Sequence, residues 1–272
     1  MALKFYWGLE NNSTTLGSSD YSAGDTIADT HTGNTFGAAG AKLGSYGLIG
    51  ASGSAANTGF DATTGILGTS GEIDQAVGSC GYWWQAETVF PGNNLANGVR
   101  LYNTAVANGL RVMSVTGSKL RLLGQNAGAE TVQAAPATAL SAGTWYFLIC
   151  RWDVAGDKIK FEIYEDAGGS TLSLTDSAET TSGVQTVLNE TDFGGAGAAF
   201  EFIQFGVKSS STASRIFTDN ILVCDTYDAL IQSNAFITDY SQYSDSVGHP
   251  AQSRARGIPG MNTIASRFGR GW

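Results

Sequence analysis

The chain has 272 residues, of which 42% are hydrophobic and 14% charged, and its formal charge is −9. That length holds one large all-β domain or two small domains, and the low charge leaves a polar surface built mainly of Ser, Thr, Asn and Gly. Residues 1–245 carry 11 Lys/Arg against 24 Asp/Glu, whereas residues 246–272 carry four Arg and no acid; the acidic body argues against nucleic acid and anionic membranes as partners, and the basic end fits an acidic surface.

The opening "MALKFYWGLENN" is too polar for a signal peptide or a membrane anchor, so synthesis without a leader is expected. Apolar runs of strand length follow, broken by Gly, Asn, Asp and Ser. "KLGSYGLIGAS" (42–52), "GILGTSGEID" (65–74) and "CGYWWQAETVF" (80–90) read as strands. "GVRLYNTA" and "GLRVMSVT" flank "VANG" as a hairpin, and "SKLRLLGQ" and "ETVQAAP" continue the series. In "GTWYFLICRWDVAGDKIKFEIYED", "YFLIC" is apolar on both faces and predicts a central strand. "KIKFEIYE" alternates, with Ile159, Phe161 and Ile163 facing inward and Lys160 and Glu162 facing water. "AFEFIQFGVK" and "RIFTDNILVCDTYD" are the last strong strands, and "DTYDALIQSNAF" (225–236) is the one plausible helix. Ten or more strands with turns every 8–12 residues predict a sandwich or jelly roll over residues 1–236.

Beyond Phe236 strand periodicity stops. Residues 237–272 read as an extended basic arm in which Arg254, Arg256, Arg267 and Arg270 are interleaved with Ile258, Met261, Ile264, Phe268 and Trp272. Apolar anchors and guanidinium groups together suit docking on an acidic protein surface, where Arg pairs with carboxylates in bidentate fashion. A solvated, disordered end is the competing reading.

Tyr82 to Asp228 resembles the concanavalin A-like, laminin-G-like jelly rolls. "GTWYFLICRWDVAGDKIKFEIYEDA" and "FTDNILVCDTYDALI" carry the resemblance, with "AGAKLGSYGLIGAS" as the early strand. It implies a two-sheet antiparallel sandwich and leaves function open. The low-charge, Gly- and Ser-rich jelly roll with a basic arm also resembles a bacteriophage virion protein. That likeness implies a head decoration or cement protein on the particle exterior, made in the host cytoplasm. Its partners would be the major capsid protein or other virion subunits, with a homo-oligomer on the particle. A carbohydrate-binding module of a tail fibre or host-attachment appendage is the alternative.

Catalytic chemistry is poorly represented, and no catalytic residue is assigned. "GEIDQAVG" (71–78) is similar to the paired-carboxylate strand of laminarinase-type glycosidases, with Glu72 and Asp74 on one face. The acid/base position that should follow holds Ala76, with Val77 beside it. His31 and His249 have no nucleophile motif nearby. No cofactor or metal site is assigned; Asp153, Asp157, Asp219 and Asp225 are the carboxylates a calcium ion would use in such a fold. Tyr82 and Trp84 share a face and could stack a sugar, or could pack the core. Cys80, Cys150 and Cys224 lack zinc spacing and are expected as buried thiols, with Cys80 the first to react.

Overall fold

Apolar residues at every second position turn this chain into strands, and seventeen form among the described residues of the computed structural model. The structure describes residues 3–9, 12, 27–29, 35–50, 58–62, 73–74, 76–92, 96–102, 109–126, 129–156, 158–166, 172–180, 199–200, 202–207, 215–224 and 226–227. The first strands are β1 (Leu3–Trp7), β2 (Ile27–Asp29), β3 (Thr35–Gly37), β4 (Gly47–Gly50), β5 (Thr58–Ala62) and β6 (Ile73–Asp74). Next come β7 (Val77–Ala86), β8 (Ala96–Tyr102), β9 (Gly109–Val115), β10 (Lys119–Asn126), β11 (Ala129–Ala134) and β12 (Tyr146–Asp153). The last are β13 (Lys158–Asp166), β14 (Leu172–Glu179), β15 (Ala199–Phe200), β16 (Phe202–Val207) and β17 (Ile216–Cys224).

Two antiparallel sheets face each other, as expected for a jelly-roll sandwich. The first has the order β14-β13-β12-β7-β17-β4-β3, with β1 also paired to β17. The second has the order β11-β10-β9-β8-β16-β5-β2. A short ladder joins β15 to β6, where Asp74 pairs with Ala199. The first sheet sends Tyr82, Trp84, Leu148, Trp152, Phe161 and Ile163 into the core, and the second answers with Val99, Leu101, Leu110, Val112, Leu120 and Leu122. Burying each such side chain stabilises the fold by about 1.5–3 kcal/mol before entropy is counted.

β12 lies between β7 and β13, the central place its two apolar faces predict. The hairpin "VAGD" closes through Asp153, whose Oδ1 accepts the Gly156 N–H at 2.8 Å. Of the run 42–52, residues 42–46 form a loop and Gly47–Gly50 joins the sheet, while residues 51–52 lie outside the described residues. A 3-10 turn at Ala38–Gly40 precedes it, and the following loop turns toward Asp219. Of the predicted helix 225–236 only Thr226 and Tyr227 are described, as a bend and a turn. The arm 237–272 lies outside the described residues, so the domain boundary there stands as a sequence expectation.

Candidate functional site

The outer face of the first sheet, the face turned away from the core, is itself apolar and buried. Trp83 of β7, Phe147 and Ile149 of β12, and Phe217 and Leu222 of β17 alternate with the core residues and are all under 5% exposed. Trp83 packs edge-on against Phe147, with ring centroids 5.4 Å apart, and against Trp145 at 6.5 Å. Trp145 continues to Phe217 at 6.3 Å, and the Lys42 ammonium lies 5.0 Å from the Trp83 ring. Trp145 is only half-buried. Its loop is held by a hydrogen bond from the Gly143 N–H to the Ala86 carbonyl, 2.7 Å, and another from Gln85 Nε2 to the Gly143 carbonyl, 2.8 Å. Next to this group Glu87 and Arg215 form a bidentate pair, with the Arg215 guanidinium 5.4 Å from the Phe217 ring.

β17 organises this face. Its upper half pairs with β4 and its lower half with β1 on the same side. On the β7 side the register shifts between Asp219 and Leu222, and Asn220 takes a left-handed φ of 46°. Asp219 is fully buried at this break. Its Oδ2 accepts the N–H groups of Lys42 and Leu43 at 2.7 and 2.8 Å, and its Oδ1 accepts that of Asn220 at 2.8 Å. One buried carboxylate thus satisfies the Asn220 amide at the ladder break and two amides of the loop before β4.

At the other end of the same face the chain leaves β17 under a polar clamp. Ser79 Oγ donates to the Thr226 carbonyl at 2.8 Å, and Arg151 donates through a terminal nitrogen to the Tyr227 carbonyl at 2.5 Å. Arg151 Nε also meets Glu162 Oε2 at 2.5 Å, and Lys160 meets Glu162 Oε1 at 2.7 Å. Lys158 and Arg151 stand 4.2 and 5.9 Å from the Tyr227 ring. Burial pushes the Glu162 carboxyl upward, but Arg151 and Lys160 together hold it below the usual carboxylate range. Glu162 was expected in water from its strand pattern. It is 5% exposed, because Arg151, the diagonal neighbour on β12, pairs with it and the same guanidinium holds the Tyr227 carbonyl over this end of the sheet.

The sequence-predicted residues fall as follows. Tyr82 and Trp84 are 0% exposed and belong to the core between the sheets, so neither offers a ring face to a sugar. Trp145, just before β12, is the more accessible ring. The arm residues Arg254, Arg256, Ile258, Met261, Ile264, Arg267, Phe268, Arg270 and Trp272 lie outside the described residues, as do Glu72, His31 and His249. Asp153 and Asp219 are engaged by backbone amides, and Asp157 and Asp225 are not described. Cys80, Cys150 and Cys224 are free and buried. Burial, with Cys150 and Cys224 nearby, pushes the Cys80 thiol well up. At 1% exposure against 5% for Cys150, Cys80 has no structural claim to react first.

The architecture defines a class, the jelly-roll-like all-β sandwiches. No protein-family model matches the chain, and no curated protein matches it. Solved structures of similar fold include the botulinum neurotoxin serotype C1 binding domain, at 10% identity and TM-score 0.52, covering 83% of this chain and 49% of that one. A Trypanosoma rangeli sialidase matches at 11% identity and TM-score 0.50, covering 83% of this chain and 31% of the sialidase. A protein of unknown function from Shewanella oneidensis MR-1 matches at 17% identity and TM-score 0.49, covering 86% of this chain and 91% of that one. At these identities the likeness is one of fold.

Proposed function

We propose that this chain is a structural protein of a bacteriophage particle, a head decoration or cement protein. Its sandwich sits on the particle exterior, and residues 237–272 dock on the major capsid protein or another virion subunit. The observation that supports this reading most is the clamp on Thr226 and Tyr227, which fixes the base of the C-terminal segment to the rigid first sheet. A segment whose last part, residues 246–272, is basic and acid-free, mounted on an acidic body, can bind a partner without disturbing the sandwich. Ile264, Phe268 and Trp272 would each contribute about 1.5–3 kcal/mol on burial, less the cost of ordering, and surface Arg pairs about 0–1 kcal/mol. Phe268→Ala with Trp272→Ala should therefore weaken attachment more than Arg267→Ala with Arg270→Ala. Mass spectrometry of density-purified particles tests the reading: the chain should be present in stoichiometric amount, and its absence from particles rejects it.

A second reading, carbohydrate binding on a tail fibre or attachment appendage, is favoured by Trp145. Its half-buried ring beside Phe217 and the Glu87–Arg215 pair offers an apolar face with polar partners at its edge. A glycan array with wild-type protein and Trp145→Ala decides it: glycan signal lost in the variant supports this reading, and a blank array removes it.

A further inference from the structure

The outer face of the second sheet is built differently. Arg100 of β8 stands directly opposite Arg111 of β9, and Arg111 stands opposite Leu123 of β10. Arg121 and Lys119 occupy the next same-face positions of β10, across from Met113 and Val115. Strands about 4.8 Å apart bring these cations within mutual repulsion, and like charges directly opposite destabilise a sheet.

The compensation is incomplete. Arg121 donates to Gln133 Oε1 at 2.9 Å and to Glu130 Oε1 at 2.7 Å. Arg111 has a buried Nε without a hydrogen-bond partner, and the Nε of Arg121 is in the same state. Among the described residues Glu130 is the carboxylate that acts on Arg111, and it is already paired with Arg121. Burial first, then the Arg100 and Arg121 charges against the opposing pull of Glu130, brings the Arg111 pKa down to about 10. A half-buried cation held among like charges costs stability unless an anion joins it.

At the Lys119 end of β10 the row borders a shallow, open groove of about 560 Å³, lined by Val115, Thr116, Lys119, Arg121, Ala135, Pro136 and Ala137. That is room enough for a few residues of an extended peptide. No aromatic ring lines the groove, so a sugar has nothing to stack on, whereas small apolar side chains between two cations suit a peptide backbone with carboxylates.

We propose that this row and groove dock an extended acidic segment of a partner protein, whose carboxylates pair with Arg111, Arg121 and Lys119. The site is separate from the arm, so it stands or falls independently of particle attachment.

Fluorescence anisotropy on the full chain tests it, with a labelled peptide of alternating Asp and Gly, its Asn counterpart, and an oligogalacturonate as probes. The acidic peptide should bind saturably and the Asn peptide should not. Arg111→Gln should weaken binding about tenfold or more, and Lys119→Gln about threefold. The Tm of Arg111→Gln should equal or exceed that of wild type, because the substitution relieves repulsion from Arg100 and Arg121. A Tm several degrees lower would make Arg111 a structural residue and overturn the proposal. So would absence of peptide binding, binding unchanged in Arg111→Gln, or tighter binding of the oligogalacturonate.

Discussion

The outward positions of β7, β12 and β17 hold Trp83, Phe147, Ile149, Phe217 and Leu222, whereas those of β8, β9 and β10 hold Arg100, Arg111, Lys119 and Arg121. Both sheets obey the same two-residue alternation toward the core, yet the outer face of one is an apolar layer while that of the other sets a basic row around the buried Met113 and Leu123. A sheet with two apolar faces must be covered on both, so its polar groups are forced into closed arrangements such as Arg151–Glu162. On the second sheet the Nε atoms of Arg111 and Arg121 find no hydrogen-bond partner among the described residues. The difference separates where this molecule invests stability from where we propose that it binds.

The largest way to break that contrast is at the clamp on the first sheet. Glu162→Ala leaves Arg151 buried and unpaired and should destabilise the protein by about 3–5 kcal/mol in urea unfolding. Replacing both partners, Arg151→Met with Glu162→Leu, should recover most of that loss, because the cost lies in the uncompensated charge. Gly98→Ala, which strikes the contact between the sheets, comes next. Gly98 has φ +83°, and a methyl group there would run into the Tyr82 ring. The combined strain and overpacking should cost about 1–3 kcal/mol.

The pH dependence sharpens the comparison. Glu162 is held below the usual carboxylate range in the folded state, so its contribution is present above the unfolded carboxyl pKa and is lost as pH falls through the folded value. Wild-type Tm should therefore fall more steeply than that of Glu162→Gln as the pH is lowered from neutral through the acidic carboxylate range. The smallest effect belongs to the Arg215–Glu87 pair. Its side chains are 42% and 24% exposed, so Arg215→Ala should cost no more than about 1 kcal/mol.

Much of the sandwich is legible in the sequence, because "YFLIC", "KIKFEIYE" and "KLRLL" carry their burial pattern in their alternation. β14 is not legible, since an edge strand needs little apolar content and "LSLTDSAE" buries Leu172 while exposing Leu174 by 51%. The three-residue strands β2 and β3 are too short to show a period at all. Within "YWW" alternation correctly separates Trp83 from its neighbours, but it cannot say that a layer lies on each side, which is what removes Tyr82 and Trp84 from the surface. The basic row is split over three strands and becomes a row only once the register sets Arg100 against Arg111. The sequence does hold a trace of it, in single arginines flanked by apolar residues in "GVRLY", "GLRVM" and "KLRLL".

We propose that attachment resides beyond the clamp while the sandwich folds without it. Occupancy on purified particles, measured for the chain lacking residues 246–272 beside the full chain, tests this most directly. The truncated protein should keep the far-UV spectrum and Tm of the full chain and should be absent from the particles. Full occupancy by a folded, truncated chain would contradict the claim.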